Sequence, residues 1–498
     1  MTNKFNLVDE NWIPVVDVGL VSLRRVFSDE SLFRLGGTPI EKISMLKFLQ
    51  AIAQAAASPK TENDWRKIGN NLQAFGKECI CYLENRYANF DLYGEHPFLQ
   101  MKQQELKEAK TYLISTRQPF IASGNNLFVR QSQIPTQISD AKKALILLSL
   151  MSCDLGGKRH DKNIKLQPNY EKKSAHAGPA IAENGALHSF CLGDSILKTI
   201  WFNTFTLEEI SKLPQCKEGL GVPPWDQMPK SEDDTIARKL KNSLMGRLVP
   251  MSRFCIIDND SFHLTEGLWH KTGKDFSFDP SQHINLKKAS LTWCDPEKRP
   301  WRELVALFSY LDSDPNRRSI TCQQVWLSSQ KLLKIDYENI SVWSGGLQVS
   351  TNSGEQKASG LNDFIESECV VTPTEDWYSK FINEMMNLQK ATEYLQKRIV
   401  LYFKSLETTS DNPMTMKKKS TISDKKASAA MKVFWGYCDC FKQRIIEECD
   451  TTDERKAIRK VLVSTMLNFF NETCPHNTPQ QIRAWALSKP DFGKYLNS

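Results

Sequence analysis

Glycine and amide side chains dominate one stretch of the sequence, Trp343–Gly360 (WSGGLQVSTNSGEQKASG). Glycine permits backbone conformations that other residues avoid, so this stretch can turn sharply or lie close against a large partner. The amides of Gln348, Asn352 and Gln356 can donate and accept hydrogen bonds, as base edges require, and a projecting loop can separate paired strands. The composition predicts a loop that contributes nothing to a core. It could contact nucleic acid or be only a mobile surface loop.

Two irregular segments earlier in the chain combine cations with an aromatic residue or with glycines. In SGNNLFVRQSQIPTQ, Phe128 lies beside Arg130 among amides, and such a pair can stack on a base and neutralise a phosphate. The second segment, after Leu155, opens with two glycines and several basic residues: Gly156, Gly157, Lys158, Arg159, His160, Lys162 and Lys165. Glycines beside cations suit a backbone pressed against phosphates. Each segment could equally be a solvated loop.

The densest group of cations in the sequence lies near the C-terminal end. It comprises Lys417, Lys418, Lys419, Lys425 and Lys426. Such a basic patch could meet nucleic acid or an acidic partner, or it could simply be solvated.

The signatures of the common enzyme classes are missing. The sequence has no Walker loop, dinucleotide-binding glycine pattern, His-Glu-x-x-His, Gly-x-Ser-x-Gly or zinc-ligand spacing. Two groups of histidines remain: His160, His176 and His188, and His263, His270 and His283 with Asp279. The spacing of the first group does not fit a metal-binding helix face, and the second has no identifiable general base. We expect no enzyme activity, cofactor or metal; a metal-dependent nuclease using this histidine-containing middle region is the alternative.

Size and composition are those of a globular protein with more than one domain. The chain has 498 residues, of which 40% are hydrophobic and 25% charged, with a formal net charge of +7. This length predicts two or three domains, and the mild positive charge is compatible with nucleic acid. The N-terminus has acidic residues where a signal peptide needs its apolar region, and no stretch is long and apolar enough for a membrane span. We expect a cytoplasmic protein with free thiols, since its 13 cysteines lack the spacing of a disulfide framework.

The chain up to residue 373 mixes strand and helix patterns. Strands are expected within Phe5–Leu23 and helices over Pro39–Ala57, Glu62–Arg86 and Asp140–Met151. The stretch from Arg247 to Pro280 is predicted to form strands joined by turns. Lys331–Tyr337 and Ile340–Trp343 are predicted to be strands that lead into the glycine-rich stretch, and the domain is expected to end near Pro373.

Beyond Trp377 the pattern becomes entirely helical. Apolar residues from Phe381 to Leu406 recur at alternating steps of four and three residues, which is typical of a long bundle helix. Three more helices are expected over Asp424–Glu448, Thr452–Thr473 and from Thr478 to about Asn497. The predicted fold class is α+β: a mixed α/β N-terminal domain with long irregular loops at residues 1–373, followed by a C-terminal four-helix bundle at residues 374–498.

Taken in order, these segments resemble a known family. The chain is similar over essentially its whole length to CasA, the large subunit of the type I-E Cascade CRISPR surveillance complex. The resemblance is carried by NWIPV at 11–15, EHPFLQ at 95–100, NLFVRQ at 126–131, the loop at Gly156, GLWHKTGKDFSFDP at 267–280, RPWRELVALF at 299–308 and the terminal bundle.

The resemblance implies roles for particular residues. The segment with Phe128, Val129 and Arg130 would contact the 5′ handle of the guide RNA. Residues near the glycine loop and in the later strand-turn would bind the duplex motif flanking the target: Gly156, Gly157, Lys158, Arg159, Lys271 and Lys274. Gln356, with Asn352 and Glu355 beside it, would be a wedge that separates the first base pairs.

The resemblance also implies a function and a set of partners. The protein would be non-catalytic, would recognise the flanking motif (PAM) on double-stranded DNA and would help to open the duplex for guide pairing. Its partners would be the guide RNA (crRNA), double-stranded target DNA, the other Cascade subunits and the helicase-nuclease that is recruited after target binding.

Overall fold

The computed structural model describes residues 4–101, 106, 109–114, 137–155, 185–268, 270, 279–286, 288, 290–295, 320–335, 337, 339–352, 355–357, 364–371, 377–406 and 420–497. The chain divides into two compact units, Met1–Cys294 with Ser319–Ser367 and Asp295–Arg318 with Glu368–Ser498. The boundary predicted after residue 373 lies outside the described residues and stays a prediction. The mixed α+β fold class is confirmed, with strands in the first unit and a run of helices near the C-terminus. Within the described residues, no helix is long and apolar enough to cross a membrane.

The first unit contains ten described α-helices. They are α1 (Leu23–Ser28), α2 (Pro39–Ala57), α3 (Glu62–Gly69), α4 (Leu72–Asn85), α5 (Asp140–Cys153), α6 (Ile196–Asn203), α7 (Leu207–Lys212), α8 (Thr235–Lys241), α9 (Leu244–Leu248) and α10 (Gln323–Leu333). A short 3₁₀ turn covers Tyr87–Phe90.

The strands form small sheets, and every pair whose register is described is antiparallel. They are β1 (Ile13–Val15), β2 (Gly19–Val21), β3 (Thr111–Leu113), β4 (His188–Leu192), β5 (Arg253–Asp258), β6 (Ser261–Glu266), β7 (His283–Asn285), β8 (Ser290–Leu291), β9 (Ile320–Cys322), β10 (Ile340–Leu347), β11 (Ser350–Asn352), β12 (Glu355–Lys357) and β13 (Phe364–Val371). Their orders are β1-β2, β13-β10-β4, β11-β12, β3-β6-β5 and β8-β7-β9.

Helix α2 is the centre of the first unit, and its beginning is encoded locally. The Thr38 hydroxyl accepts a hydrogen bond from the Glu41 amide, the Glu41 carboxylate accepts one from the Thr38 amide, and Pro39 occupies the first turn. This capping box with its proline sets the helix start that the sequence predicted. Because the helix packs against α4, α5, α6, α9 and β10, it is buried on nearly every side.

The glycine-rich stretch is not a loop throughout, and the prediction that it adds nothing to a core is wrong. Its first five residues, Trp343 to Leu347, complete the buried strand β10. A Cβ at Gly346 would lie 2.4 Å from the Cys294 sulfur and 2.8 Å from the Ala186 carbonyl oxygen. The small residues are therefore required by close packing, and only the portion beyond Val349 forms a separate hairpin.

Two other local predictions are also wrong. Lys331–Leu333 belongs to helix α10 rather than to a strand, and buried Lys331 donates to the Thr204 carbonyl and to Glu209. The expected single helix over Glu62–Arg86 is broken after Gly69, because Asn71 caps a new helix by accepting from the Ala74 amide at 3.0 Å.

The second unit is built from a helical bundle. Its helices are α11 (Trp377–Leu406), α12 (Ser420–Asp439), α13 (Lys442–Glu448), α14 (Thr452–Thr473), α15 (Pro479–Ser488) and α16 (Gly493–Leu496). Helix α11 packs against α12, α14, α15 and α16. The four expected helical segments are thus present, with the second broken near Cys440 and the fourth near Pro490.

Candidate nucleic-acid interface

The three residues predicted to form a strand wedge lie on a two-stranded hairpin. Strands β11 and β12 pair antiparallel, with Thr351 opposite Gln356 and Asn352 opposite Glu355. Asn352 and Glu355 are the last described pair, with only residues 353 and 354 between them in the sequence, and Gln356 follows directly. The backbone therefore brings all three residues to one end of a short β-ribbon.

A buried base supports this hairpin. The hairpin follows β10 directly, and Leu347 and Val349 at the base of the hairpin are 1% and 4% exposed. Gly185 lies against this base: its φ is +81°, and a Cβ there would be 1.9 Å from the Leu347 carbonyl oxygen. Only glycine fits such a contact. The segment that begins with the predicted glycine loop therefore ends beside the hairpin.

Buried Arg253 holds the beginning of that same segment. Arg253, on β5, is ion-paired with Asp154 and with Glu266, the latter at 2.6 Å, and it donates to the Leu155 carbonyl at 2.8 Å. Asp154 and Leu155 directly precede Gly156, while Glu266 ends the strand that leads to Lys271. One guanidinium thus fixes the starting points of two segments that were predicted to contact DNA.

The far end of the strand-turn segment is held by a second buried network. Asp279 is ion-paired with Lys47 of α2 and accepts from the amide and hydroxyl of Ser281 at 3.0 and 2.8 Å. The same hydroxyl is 2.8 Å from Nδ1 of His188, at the start of β4. Burial alone would raise the pKa of Asp279, but the charges of Lys47 and His188 hold it below its ordinary value. This carboxylate is a structural anion, and it anchors residue 279 to the central helix.

Together these contacts place the ends of three predicted contact segments on one framework. The segment 156–184 begins at the Arg253 cluster and ends at the hairpin base, and the segment 271–278 begins beyond Glu266 and ends at Asp279. Such an arrangement can present the two segments and a β-ribbon to a nucleic acid, and it needs no acid-base group to do so.

Most of the predicted contact residues lie outside the described residues. These are Phe128, Val129, Arg130, Gly156, Gly157, Lys158, Arg159, Lys271, Lys274, Lys417, Lys418 and Lys419. Of the basic patch, Lys425 and Lys426 are described, and both are exposed on α12. The Lys426 ammonium is 5.3 Å from the centre of the Phe403 ring, a cation–π contact that leaves it accessible to solvent.

Three of the histidines considered for a nuclease, His263, His270 and His283, each make a different structural contact, whereas His160 and His176 lie outside the described residues. Nε2 of His270 is 2.8 Å from the Pro250 carbonyl oxygen, and Nε2 of His283 is 2.7 Å from the Ser189 hydroxyl. Burial lowers the pKa of both side chains to about 3, so both are neutral near pH 7. His263 lies elsewhere, 3.2 Å from the Ala109 carbonyl oxygen. In the described part of the chain, no group of three or more His, Cys, Asp or Glu is placed to hold a metal ion.

Sequence reasoning missed the residues that anchor the segments. Arg253 and Lys47 were not selected, because their partners are 99 and 232 positions away along the chain. A usable signal was present, since each is a cation directly beside a mostly apolar run: Arg253 precedes FCII and Lys47 follows ISML. A buried cation in such a run needs a carboxylate partner.

Comparison with known proteins identifies the family. The sequence model of the family described as CRISPR-associated protein Cse1 matches residues 6–469. A CasA/Cse1 protein of Thermus thermophilus is 34% identical over 137 residues, and that alignment spans only 25% of this chain and 26% of the relative.

Solved structures share the fold over much more of the chain. A crystal structure of Thermus thermophilus CasA is 17% identical, with a TM-score of 0.73 over 99% of this chain and 100% of that one. A chain of a CRISPR RNA-guided surveillance complex is 14% identical, with a TM-score of 0.69 over 99% of this chain and 100% of that one. The resemblance expected from the sequence motifs is confirmed. Because the family match extends over nearly the whole sequence, the chain belongs to the CRISPR-associated protein Cse1 family.

Proposed function

We propose that this chain is the non-catalytic large subunit of a CRISPR RNA-guided surveillance complex. In that role it binds the guide RNA and the other Cascade subunits, reads a short flanking motif on double-stranded DNA, helps to open the duplex and recruits the helicase-nuclease. One observation carries the proposal: a Cse1 family match over residues 6–469, in a chain whose fold is shared with a subunit of such a complex.

The proposed division of labour follows from the energetics of guided recognition. Base pairing with the guide supplies sequence specificity, so the protein needs only to recognise a short motif and to start strand separation. Gly156 and Gly157 with Lys158 and Arg159, and the strand-turn with Lys271 and Lys274, are the proposed motif contacts. Minor-groove contacts distinguish A·T from G·C and little else, so several motifs should be tolerated.

The hairpin is the proposed wedge. Each of its strands has three residues, so the ribbon extends about 10 Å, or roughly three base-pair steps. Unstacking a base step costs a few kcal/mol, and an inserted side chain offsets some of that cost. The buried base at Leu347 and Val349 supports this role, because a wedge must not yield when it enters the duplex.

Two further contacts belong to the proposal. Phe128, Val129 and Arg130 would hold the 5′ handle of the guide RNA by stacking and by neutralising phosphate. Lys425 and Lys426, exposed on α12, would add to a basic patch with Lys417–Lys419 that meets nucleic acid phosphates.

A metal-dependent nuclease finds no support in the described contacts of its histidines. Reconstitution distinguishes the two functions. The guide-RNA complex is assembled with and without this chain and tested for binding to a duplex library in which the flanking motif is randomised. The proposal expects motif-dependent binding only when the chain is present. Cleavage of DNA by the isolated chain with Mg²⁺ or Mn²⁺, abolished by His160→Ala, would establish the nuclease instead.

A further inference from the structure

The helical bundle contains a cavity whose lining differs from that of a packed core. Its volume is about 520 Å³, and it lies between α11 and the final turn of the chain. Tyr394 is half-buried beside it, whereas Phe492 and Tyr495 are 4% and 5% exposed. The volume is within the range of small-molecule sites, and Tyr394 is the ring of the wall that a ligand could cover.

Cations lie at the edge of the same cavity. Lys390 and Lys494 are both exposed lining residues, and neither makes an ion pair within the described part of the chain. Asp491 is the one carboxylate among the lining residues, and it accepts a hydrogen bond from the Gly493 amide at 3.0 Å. The lining therefore has a surplus of one positive charge, which favours an anionic ligand.

The aromatic wall is held in place before any ligand arrives. The Tyr495 hydroxyl donates to buried Glu384 at 2.9 Å, and Glu384 is in turn bound by the Arg459 guanidinium at 2.9 Å. Burial raises the pKa of Tyr495, so it remains a neutral donor. Tyr394 and Phe492 meet edge to face, with ring centres 5.8 Å apart. A fixed wall reduces the ordering cost of binding.

A second set of contacts fixes the chain that leads into the cavity. Arg398 donates to three carbonyls at the end of α15, those of Leu487, Ser488 and Lys489, at 2.7–2.9 Å. These hydrogen bonds give the last carbonyl groups of α15 a donor and hold the residues that follow against α11. The cavity is therefore a built feature of the bundle.

We propose that this cavity binds a nucleoside phosphate, with the base against Tyr394 and the phosphate at Lys390 and Lys494. Aromatic rings stack on any base, and a lysine ammonium binds phosphate as a point charge. An apolar ligand would gain nothing from the two cations, and a simple anion would gain nothing from the half-buried ring of Tyr394. The nucleotide could be free or the end of a strand, and the inference does not depend on the proposed role in target recognition.

Calorimetric titration of the purified full chain tests the proposal. The probes are AMP, adenosine, inorganic phosphate and a 5′-phosphorylated five-nucleotide deoxyadenosine strand. We expect AMP to bind at least tenfold more tightly than adenosine or phosphate. Tight binding of AMP with weak binding of the strand assigns a free nucleotide, whereas equal or tighter binding of the strand assigns a strand end.

Variants locate the site. Tyr394→Leu and Lys494→Gln should each weaken AMP binding at least tenfold, whereas Lys397→Gln, an exposed lysine on the same helix, should leave it unchanged. Lys494 is exposed, so its replacement keeps the test valid even if the Tyr394 variant unfolds. The proposal fails if AMP shows no binding at millimolar concentration, if phosphate binds as well as AMP, or if Lys397→Gln weakens binding as much as Lys494→Gln.

Discussion

Replacing Arg253 with glutamine should destabilise the first unit far more than an ordinary ion-pair deletion. The side chains of Arg253, Asp154 and Glu266 are 3%, 7% and 2% exposed, so the variant removes the buried cation that both carboxylates share. Removing one partner from a buried ion pair costs about 3–5 kcal/mol, because the remaining charge loses its compensation. Each kcal/mol lowers the melting temperature of a large domain by about 2–4 °C, and the largest domains lie at the lower end of this range. We therefore expect the melting temperature to fall by about 6–10 °C.

The chain provides a matched control for this variant. Arg24 also binds two carboxylates, Asp9 at 2.8 Å and Glu84 at 2.5 Å, but its side chain is 39% exposed. Because solvent screens an exposed ion pair, Arg24→Gln should lower the free energy of unfolding by less than about 1 kcal/mol. Both variants are compared by differential scanning calorimetry, with hydrogen exchange to show whether residues 154–155 and 266–268 open.

A charge-neutral variant separates burial of charge from loss of packing. Adding Asp154→Asn and Glu266→Gln to Arg253→Gln removes the two buried negative charges as well, so some of the lost stability should return. The reasoning is refuted if Arg253→Gln and Arg24→Gln lower the melting temperature equally, or if the triple variant is less stable than Arg253→Gln alone.

Three further predictions concern packing, pH and charge. Gly346→Ala should lower the free energy of unfolding, measured in urea, by about 1–3 kcal/mol, because the added methyl group has no room between β10 and its neighbours. Unchanged stability would contradict the close packing. The folded pKa of His270 and of His283 is about 3, below the reference value of 6.5, so the unfolded state binds more protons between these pH values. Stability should therefore fall as pH drops below about 6.5, by about 1.4 kcal/mol per pH unit for each histidine, and a flat profile of melting temperature between pH 7 and 5 would contradict this. In the assembled complex, Lys271→Ala and Lys274→Ala should flatten the salt dependence of duplex affinity, measured by filter binding, by about 0.9 per lost phosphate contact; an unchanged slope and motif preference would place both lysines away from DNA.

Elements with local signals were predictable from the sequence. Helix α2 was found with its bounds because Thr38, Pro39 and Glu41 encode its start and apolar residues recur along it. A turn was expected within the stretch from Arg247 to Pro280, and the one between β5 and β6 has Asn259 at φ +53°, a conformation that asparagine tolerates better than most residues. These elements follow from chemistry within a few residues.

Elements that depend on distant partners were not predictable. Gly346 resembles a loop glycine in the sequence because Cys294 and Ala186, which exclude any side chain there, are far away along the chain. The Arg253 cluster was missed for the same reason. Composition singled out Asn352 and Gln356, and the resemblance to the family added Glu355 and the proposed role as a wedge, but nothing in the spacing of these residues predicts that they pair within one hairpin.

The most direct test of the proposed function is the rate at which the first target base pair opens. A fluorescent base analogue at that pair is followed in the assembled complex with wild-type chain, with Gln356→Ala, and with Gln348→Ala as an amide control before the hairpin. We expect Gln356→Ala to bind intact duplex nearly as well as wild type but to open it more slowly, and a pre-melted bubble beside the motif to restore the rate. Equal opening rates for Gln356→Ala and wild type on intact duplex, or a defect that the bubble does not rescue, would contradict the wedge.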